Sequence, residues 1–191
     1  MVKPLIADKR ATILNTALDL IAEHGFQGTP VSLVAKNSDV SIGIIYHYFA
    51  SKDELIHALY RQIKLEFNQA LLQGAPHLLP WPEYLKRVWL NAYHYYVAHP
   101  KQTIFLEQYE NSPYQISWET LEVADNLKPL LERLQNDFAS GLIKPMPFEV
   151  FYELTLGVAV SLARRQIAGN INLDEVLLHE IAESCFQAVK N

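Results

Sequence analysis

The spacing of apolar residues is helical along almost the whole chain. In the first segment Ile13, Ala17 and Ile21 recur every four residues, which places them on one helix face, and Gly25 follows as a typical helix end. No stretch alternates apolar and polar residues in the way that strands joined by hairpins require. The pattern predicts an all-α protein whose first helix covers about Asp8–His24.

The stretch from residue 25 to 55 predicts two short helices joined by a tight turn. Thr29 and Pro30 start the first one, because a hydroxyl N-cap followed by proline suits a first turn. Asn37-Ser38-Asp39 breaks this helix, and Ser41 caps the next, whose Ile45 and Phe49 point to the core. A short helix, a tight turn and a second short helix form the helix-turn-helix motif, which lays its second helix in a DNA major groove.

A third capped helix follows the motif. Ser51 and Glu54, three residues apart, form a capping box. The apolar pattern that begins at Leu55 continues to Leu71, before Gly74-Ala75-Pro76 ends it. A helix of this length can belong to two domains.

These ordered positions resemble the N-terminal signature of TetR-type (TetR/AcrR) transcriptional regulators, without a gap from about residue 8 to 58. The residues that carry the resemblance are Arg10, Ile13, Leu14, Ala17, Leu18, Ile21, Gly25, Phe26, Thr29, Val34, Ala35, Val40, Ser41, Gly43, Tyr46, Phe49, Ser51, Lys52 and Leu55. The resemblance implies a three-helix, helix-turn-helix DNA-binding domain over residues 1–58. It also implies a C-terminal helical domain over residues 59–191 that binds an effector and forms a homodimer through the last two helices.

Three places depart from the family pattern. Ser38-Asp39 stands where the turn commonly has Ala-Gly, and Asp adopts a left-handed conformation less readily than glycine. Ile44 stands where a Thr often contacts phosphate, and Ile42 stands where a polar or basic residue is frequent. These departures bear on the operator sequence and the phosphate contacts rather than on the fold.

The helix that begins at Ser41 supplies the candidate DNA contacts. A rotation of about 100° per residue puts Gly43, Ile44 and His47 opposite the core side, with Tyr46 and Tyr48 at the borders. A glycine at 43 would let the backbone approach the groove, and an exposed Ile44 would suit a thymine methyl group. The predicted DNA-binding residues are Thr29, Ser41, Ile42, Gly43, Ile44, Tyr46, His47, Tyr48 and Lys52.

Several of these residues have a second interpretation. Tyr46, His47 and Tyr48 can donate to phosphate oxygens, and Lys52 adds charge there, but either tyrosine could be a packing residue and Lys52 a solvated one. Ile42 lies near the core edge, where packing is the better interpretation. Thr29 is expected to contact a phosphate while it caps its helix.

Charge gives no support to DNA binding. The formal net charge is −5, and residues 1–58 carry five Lys and Arg against six Asp and Glu. A strongly basic domain would be the electrostatic signature of nucleic-acid binding. Small helix-turn-helix domains can still bind through a few local groups. The local candidates are Lys3, Lys9, Arg10, Lys36 and Lys52.

The rest of the chain predicts further helices with short breaks. The predicted helices cover about residues 85–98, 102–109, 117–139 with Pro129 kinking or interrupting it, 148–168, and a last helix that begins with Asn172 and Glu175. The apolar stripe predicted for the last helix consists of Val176, Leu177, Ile181, Cys185, Phe186 and Val189. These last two apolar helices could form an ordinary intrachain core, whereas the resemblance favours a homodimer.

Residues 81–165 are rich in aromatic side chains. Apolar walls with a few hydroxyls suit a small-molecule pocket, although aromatic residues at helical spacing are more often core. The resemblance implies an effector site, for which the candidate lining residues are Trp89, Tyr93, Tyr96, Tyr109, Trp118 and Tyr152. Arg164 and Arg165 could pair with an acidic effector or lie at a dimer rim.

The sequence carries no motif of an enzyme, a metal site or a cofactor site. It has no Gly-rich phosphate loop, no Gly-x-Ser-x-Gly elbow and no His-Glu-x-x-His. The single Cys185 lies on an apolar stripe, and the absence of a signal peptide or membrane segment favours the cytoplasm. We predict a DNA-binding transcriptional regulator, a repressor released by a small-molecule effector; the alternative is a helical protein-interaction module without specific DNA binding.

Overall fold

A computed structural model describes residues 6–115 and 125–191, and these residues are almost entirely helical. The helices are α1 (Ile6–His24), α2 (Val31–Asn37), α3 (Ile42–Tyr48), α4 (Lys52–Leu71), α5 (Glu83–Ala98), α6 (Pro100–Glu110), α7 (Lys128–Ala139), α8 (Phe148–Leu154), α9 (Leu156–Ile167) and α10 (Glu175–Val189). Within the described ranges, β pairing is limited to an isolated bridge between Ile143 and Lys190. The all-α prediction is confirmed.

The described chain forms two compact units. The first unit contains α1, α2, α3, the part of α4 up to Lys64, and α6 from Lys101 onward. The second unit contains the rest, beginning at Leu65. The first unit therefore includes α6, which lies in sequence within the range 59–191 predicted for the second domain. The functional assignment of that range stays a prediction.

The first unit has a core built from the predicted helix faces. Ile13, Ala17 and Ile21 of α1 are at most 2% exposed, and Ile45 and Phe49 are each 1% exposed. The first helix and the core side of α3 are therefore as predicted. Phe26 and Tyr60 contact residues of α6, because the Phe26 ring meets Phe105 edge-on at 5.7 Å and Tyr60 stacks on Tyr109 at 4.1 Å.

Two of the three predicted N-caps in this unit are present. The Ser41 hydroxyl accepts the N–H of Ile44 at 3.3 Å, and the Ser51 hydroxyl accepts the N–H of Glu54 at 3.1 Å. The prediction that Thr29 caps α2 is wrong. Its hydroxyl instead donates to the carbonyl of Gly25 at 2.8 Å, so it stabilises the end of α1 and leaves α2 with Pro30 as an N-cap that makes no side-chain bond.

The turn between α2 and α3 contains Asp39 in the left-handed region, with φ of +53°. Replacing this residue in an Asp39→Gly variant should stabilise the protein, because a left-handed conformation costs a residue with a Cβ roughly 1–2 kcal/mol and glycine much less. The greater chain entropy of unfolded glycine offsets part of this gain. We expect a net gain of about 0.5 kcal/mol, measured by urea unfolding. A loss of stability would show that the Asp39 side chain itself holds the turn.

In the second unit, the buried side of α5 packs against α9 and α10. Trp89 is fully buried, and its indole N–H donates to the carbonyl of Thr155 at 3.0 Å. Thr155 ends α8, and its hydroxyl donates back to the carbonyl of Phe151 at 2.6 Å. The single helix predicted over residues 148–168 is therefore wrong. The hydrogen bond from Thr155 to the preceding turn, together with the hydrogen bond from Trp89, divides this predicted helix into α8 and α9.

A buried polar pair lies between α5 and α7. Tyr84 is fully buried and its hydroxyl donates to the carboxylate of Asp137, which is 8% exposed. The guanidinium of Arg133 lies 4.1 Å from the centre of the Tyr84 ring. Burial, followed by the bond to Asp137, raises the pKa of Tyr84 above its ordinary value. The phenol is therefore held neutral as a donor to a buried carboxylate.

The starts of α7 and α10 differ from the prediction. α7 begins at Lys128 with Pro129 in its first turn, where the missing N–H leaves no bond unmade. Residues 117–124 of that predicted helix lie outside the described residues. Asp174 rather than Asn172 caps α10, since its carboxylate accepts the N–H of Leu177 at 2.8 Å.

The apolar stripe of α10 is also only partly as predicted. Cys185 is buried, and burial raises the pKa of its thiol. Val176 and Leu177, in contrast, are 70% and 42% exposed, while Leu178 is buried in their place. α10 thus carries apolar residues on two faces, and the α5 side covers only one of them.

Candidate nucleic-acid interface

α3 exposes one face of the helix-turn-helix motif. Ile42 is 45% exposed and Tyr46 is 52% exposed, and Gly43 and His47 are exposed beside them. We call these four residues the α3 face. Ser41 is also exposed at the start of the helix, where its hydroxyl serves as the cap. The motif therefore presents a short, capped helix with its outer side uncovered by the first unit.

The roles expected for the two isoleucines are reversed. The sequence pattern predicts packing for Ile42, which is exposed, and exposure for Ile44, which is half-buried. Side chains on a helix lean toward its N-terminus. Ile44 therefore leans over the turn that precedes α3, whereas Ile42 is the first residue of the helix and has no preceding helical turn to cover it.

Gly43 is not required by packing within the chain. A Cβ built at this position would meet only the hydroxyl oxygen of Ser41, at 3.8 Å, which is an ordinary van der Waals contact. The helical backbone at Gly43 is accordingly open to a close approach from outside.

The border of the α3 face is formed by Tyr48 and Lys52. Tyr48 is half-buried, with its ring 5.3 Å from that of His47. The Lys52 ammonium donates to the carbonyl of Phe26 at 2.5 Å, and burial lowers the pKa of Lys52. An ammonium has three N–H bonds, so this contact ties the start of α4 to the turn after α1 and leaves donors for a phosphate.

Thr29 differs in exposure from the other predicted contacts, whereas two of the local cationic candidates are exposed. Thr29 is 2% exposed, so it offers no surface to a phosphate. Arg10 is exposed with its guanidinium 5.4 Å from the ring centre of Phe49. Lys36 is exposed near the end of α2. Arg10 and Lys36 are two of the five local cationic candidates predicted from the sequence, and Lys3, another of them, lies outside the described residues.

The predicted effector-lining residues are packed side chains in the described structure. Trp89 and Tyr93 lie parallel with ring centres 5.9 Å apart, and the Tyr93 hydroxyl donates to Gln166 Oε1 at 2.6 Å. Tyr96 is 5% exposed, and Tyr152 is half-buried. Tyr109 belongs to the first unit, and Trp118 lies outside the described residues.

Of the predicted lining residues that the structure describes, none borders either of two clefts found in the two units. A cleft of about 290 Å³ in the second unit is lined by Trp81, Pro82, Glu83, Lys86, Glu183, Phe186, Gln187 and Lys190. Its Lys86 ammonium bonds Glu83 at 2.6 Å and Glu183 at 2.8 Å, and these bonds raise the pKa of Lys86. A second cleft, of about 400 Å³, lies in the first unit beside Phe26 and Tyr114.

Across the ranges 6–115 and 125–191, no three His, Cys, Asp or Glu side chains gather in a way that could hold a metal ion. In the same ranges, every helix is either too short or too polar to cross a lipid bilayer.

A capped α3 with an open outer face, joined to α2 by a tight turn, defines a helix-turn-helix protein. A family model described as bacterial regulatory proteins, tetR family, matches residues 13–59, and a model of the tetracyclin repressor-like C-terminal domain matches residues 80–190. The chain belongs to the TetR family. It is a DNA-binding transcription regulator, and the predictions of family and of regulatory function are confirmed.

The chain is similar to proteins named as HTH-type transcriptional regulators over most of its length. An uncharacterized HTH-type transcriptional regulator of Haemophilus influenzae is 24% identical over 180 residues, covering 90% of each chain. The HTH-type transcriptional regulator BetI of Klebsiella pneumoniae is 27% identical over 150 residues, covering 76% of this chain and 70% of that one.

Solved structures of the family have the same fold. A TetR-family regulator from Vibrio parahaemolyticus superposes with a TM-score of 0.78 at 29% identity, over 96% of this chain and 99% of that one. A TetR-family regulator from Haemophilus influenzae superposes with a TM-score of 0.82 at 23% identity, over 99% of this chain and 100% of that one. Members of this family are transcription regulators rather than enzymes.

Proposed function

We propose that the protein is a dimeric repressor that binds an operator through the α3 face and leaves it when a small molecule binds the second unit. The observation that carries the proposal is the exposure of Ile42, Gly43, Tyr46 and His47 together on a capped helix of the motif. A protein that binds operator DNA acts beside the chromosome, so the proposal includes a location in the cytoplasm.

The phosphate contacts in this proposal are few. Tyr46, Tyr48 and His47 donate hydrogen bonds, and Lys52 contributes its remaining N–H groups. For each phosphate that a cation neutralises, the logarithm of the binding constant falls by about 0.9 for every tenfold increase in salt concentration. Lys52 is the one lysine or arginine among these groups, so the proposal implies a shallow salt dependence for each half-site.

The homodimer is supported by apolar side chains that the described chain leaves uncovered. On α8, Phe148 is 50%, Val150 is 44% and Leu154 is 42% exposed, and on α10 Val176 is 70% and Leu177 is 42% exposed. Exposed apolar residues on two neighbouring helices favour a protein partner, and dimers are typical of the family. A two-fold dimer would set two α3 helices on half-sites one helical turn apart.

Introducing a charge on this surface should separate the subunits. We expect the Val176→Asp variant to sediment as a monomer at micromolar concentration, because a carboxylate buried without a partner in an interface destabilises it by several kcal/mol. The matched control is Leu78→Asp, which changes a 76% exposed residue outside α8 and α10. A dimeric Val176→Asp variant, or dissociation of both variants, would contradict a dimer formed through α10.

The proposed effector site lies among the aromatic side chains of the second unit. Trp89, Tyr93 and Tyr96 are closely packed, so an apolar or aromatic effector would have to replace their contacts, and the half-buried Tyr152 is the candidate with an exposed edge. An effector that binds one arrangement of the helices weakens DNA binding, and DNA weakens effector binding by the same factor.

The proposal is tested by selecting genomic fragments on the purified protein at several salt concentrations. We expect a recurring palindromic sequence whose affinity falls modestly with salt. Equal recovery of all fragments at every salt concentration would reject operator binding through α3 and favour the alternative, a protein-interaction module. Loss of the selected sequence in a Tyr46→Ala variant with unchanged thermal stability would assign the contact to the α3 face.

A further inference from the structure

We infer that Ile42 selects the operator by contacting the C5-methyl group of a thymine, so that a methyl group rather than a pair of hydrogen bonds specifies one base of each half-site. The inference rests on the proposed function, since it concerns what the α3 face recognises. It assigns the methyl contact to Ile42 and not to Ile44, which is half-buried.

The side chains of α3 leave few other ways to recognise a base. The specific contacts to guanine and adenine come mostly from Arg or Lys to guanine and from Asn or Gln to adenine. The helix from Ile42 to Tyr48 has the sequence Ile-Gly-Ile-Ile-Tyr-His-Tyr, with Ser41 before it, and contains none of these four residue types. Ser, Tyr and His can each offer a single hydrogen bond, which discriminates less than a bidentate pair.

The geometry of the α3 face favours a methyl contact at Ile42. Ile42 and Tyr46 are four residues apart and therefore neighbours on the helix surface, and both have about half of their side chain exposed. Together they form an apolar ridge. Gly43 lies beside this ridge, and the open space at its Cβ position allows the backbone to come close to the base edges. Thymine is the base that presents an apolar group in the major groove.

The test replaces thymine by deoxyuridine, which differs only by the missing methyl group, one position at a time in the selected operator. Removal of one buried methyl group should weaken wild-type binding about fourfold, and removal from both half-sites about fifteenfold. The Ile42→Ala variant should bind the thymine and uracil operators with equal affinity. Because Ile42 is 45% exposed, the thermal unfolding of the Ile42→Ala variant should match that of the wild type.

Two matched variants complete the test. Tyr46→Phe keeps the ridge and should retain the preference for thymine, as should the conservative Ile42→Val. If uracil has no effect on the wild type at any position, or if Ile42→Ala keeps the full preference, the assignment to Ile42 is wrong while operator binding stands. If no fragment is preferred in the first place, the proposed function fails and the inference fails with it.

Discussion

A Gly43→Leu variant should lose operator binding by at least about a hundredfold, equivalent to about 2.8 kcal/mol, while its thermal stability is unchanged or higher. A leucine side chain would stand between the α3 backbone and the base edges. Among the described residues it would point into open space, since the one atom found near a Cβ at this position is the Ser41 hydroxyl oxygen, in ordinary contact at 3.8 Å. Leucine is also a better helix former than glycine, by up to about 0.8 kcal/mol.

The decisive feature is the opposite sign of the two effects, measured by fluorescence anisotropy with the selected operator and by thermal unfolding. Gly43→Ala serves as the graded control and should show a smaller loss of affinity with a similar gain in stability. Unchanged affinity in Gly43→Leu would show that DNA does not approach α3 closely. Parallel loss of affinity and stability would make Gly43 a structural residue.

A Tyr84→Phe variant should destabilise the protein by about 2 kcal/mol without changing the α3 face. The phenol donates to the carboxylate of Asp137, which is 8% exposed. Removal of the hydroxyl therefore leaves a buried carboxylate without this hydrogen bond. Urea unfolding measures the loss. In a double-mutant cycle with Asp137→Ala, which removes the acceptor, the two losses should be less than additive, because both changes remove the same bond.

The pH dependence provides a second check on Tyr84. Its pKa is raised in the folded protein above the ordinary value of 10.0, so the unfolded chain releases this proton first as the pH rises. The stabilisation is therefore complete below about pH 10 and decreases above it. The wild type should lose stability more steeply above pH 10 than Tyr84→Phe. If the wild type and Tyr84→Phe lose stability equally steeply with pH, the phenol is not held neutral. The control is Tyr46→Phe, which removes the hydroxyl of an exposed tyrosine.

The parts of the fold that local chemistry determines could be predicted from the sequence. α1, the turn at Asp39 and the caps at Ser41 and Ser51 depend on residues within one or two turns of each other, and they are as predicted. The division between α8 and α9 depends on a bond from Trp89, sixty-six residues from Thr155 in sequence, and periodicity carries no such information.

The candidate interface shows the same limit. Periodicity gives the direction of a side chain around a helix axis but not its position along the axis relative to the core. Ile42 lies only about 60° from Ile45 around α3, yet it is exposed because it begins the helix. On α10, a pattern with apolar residues on two sides could not show that Leu178 is buried while Val176 is exposed.

The buried thiol of Cys185 has a practical consequence for studying this regulator. It is the only cysteine in the chain, and burial raises its pKa, so little thiolate forms at neutral pH to react with maleimides or oxidants. A cysteine introduced at an exposed position outside the α3 face, such as Glu23 in α1, would therefore be labelled selectively in the otherwise unmodified protein. A fluorophore or spin label on each subunit could then report the distance between the two first units of a dimer, with and without DNA.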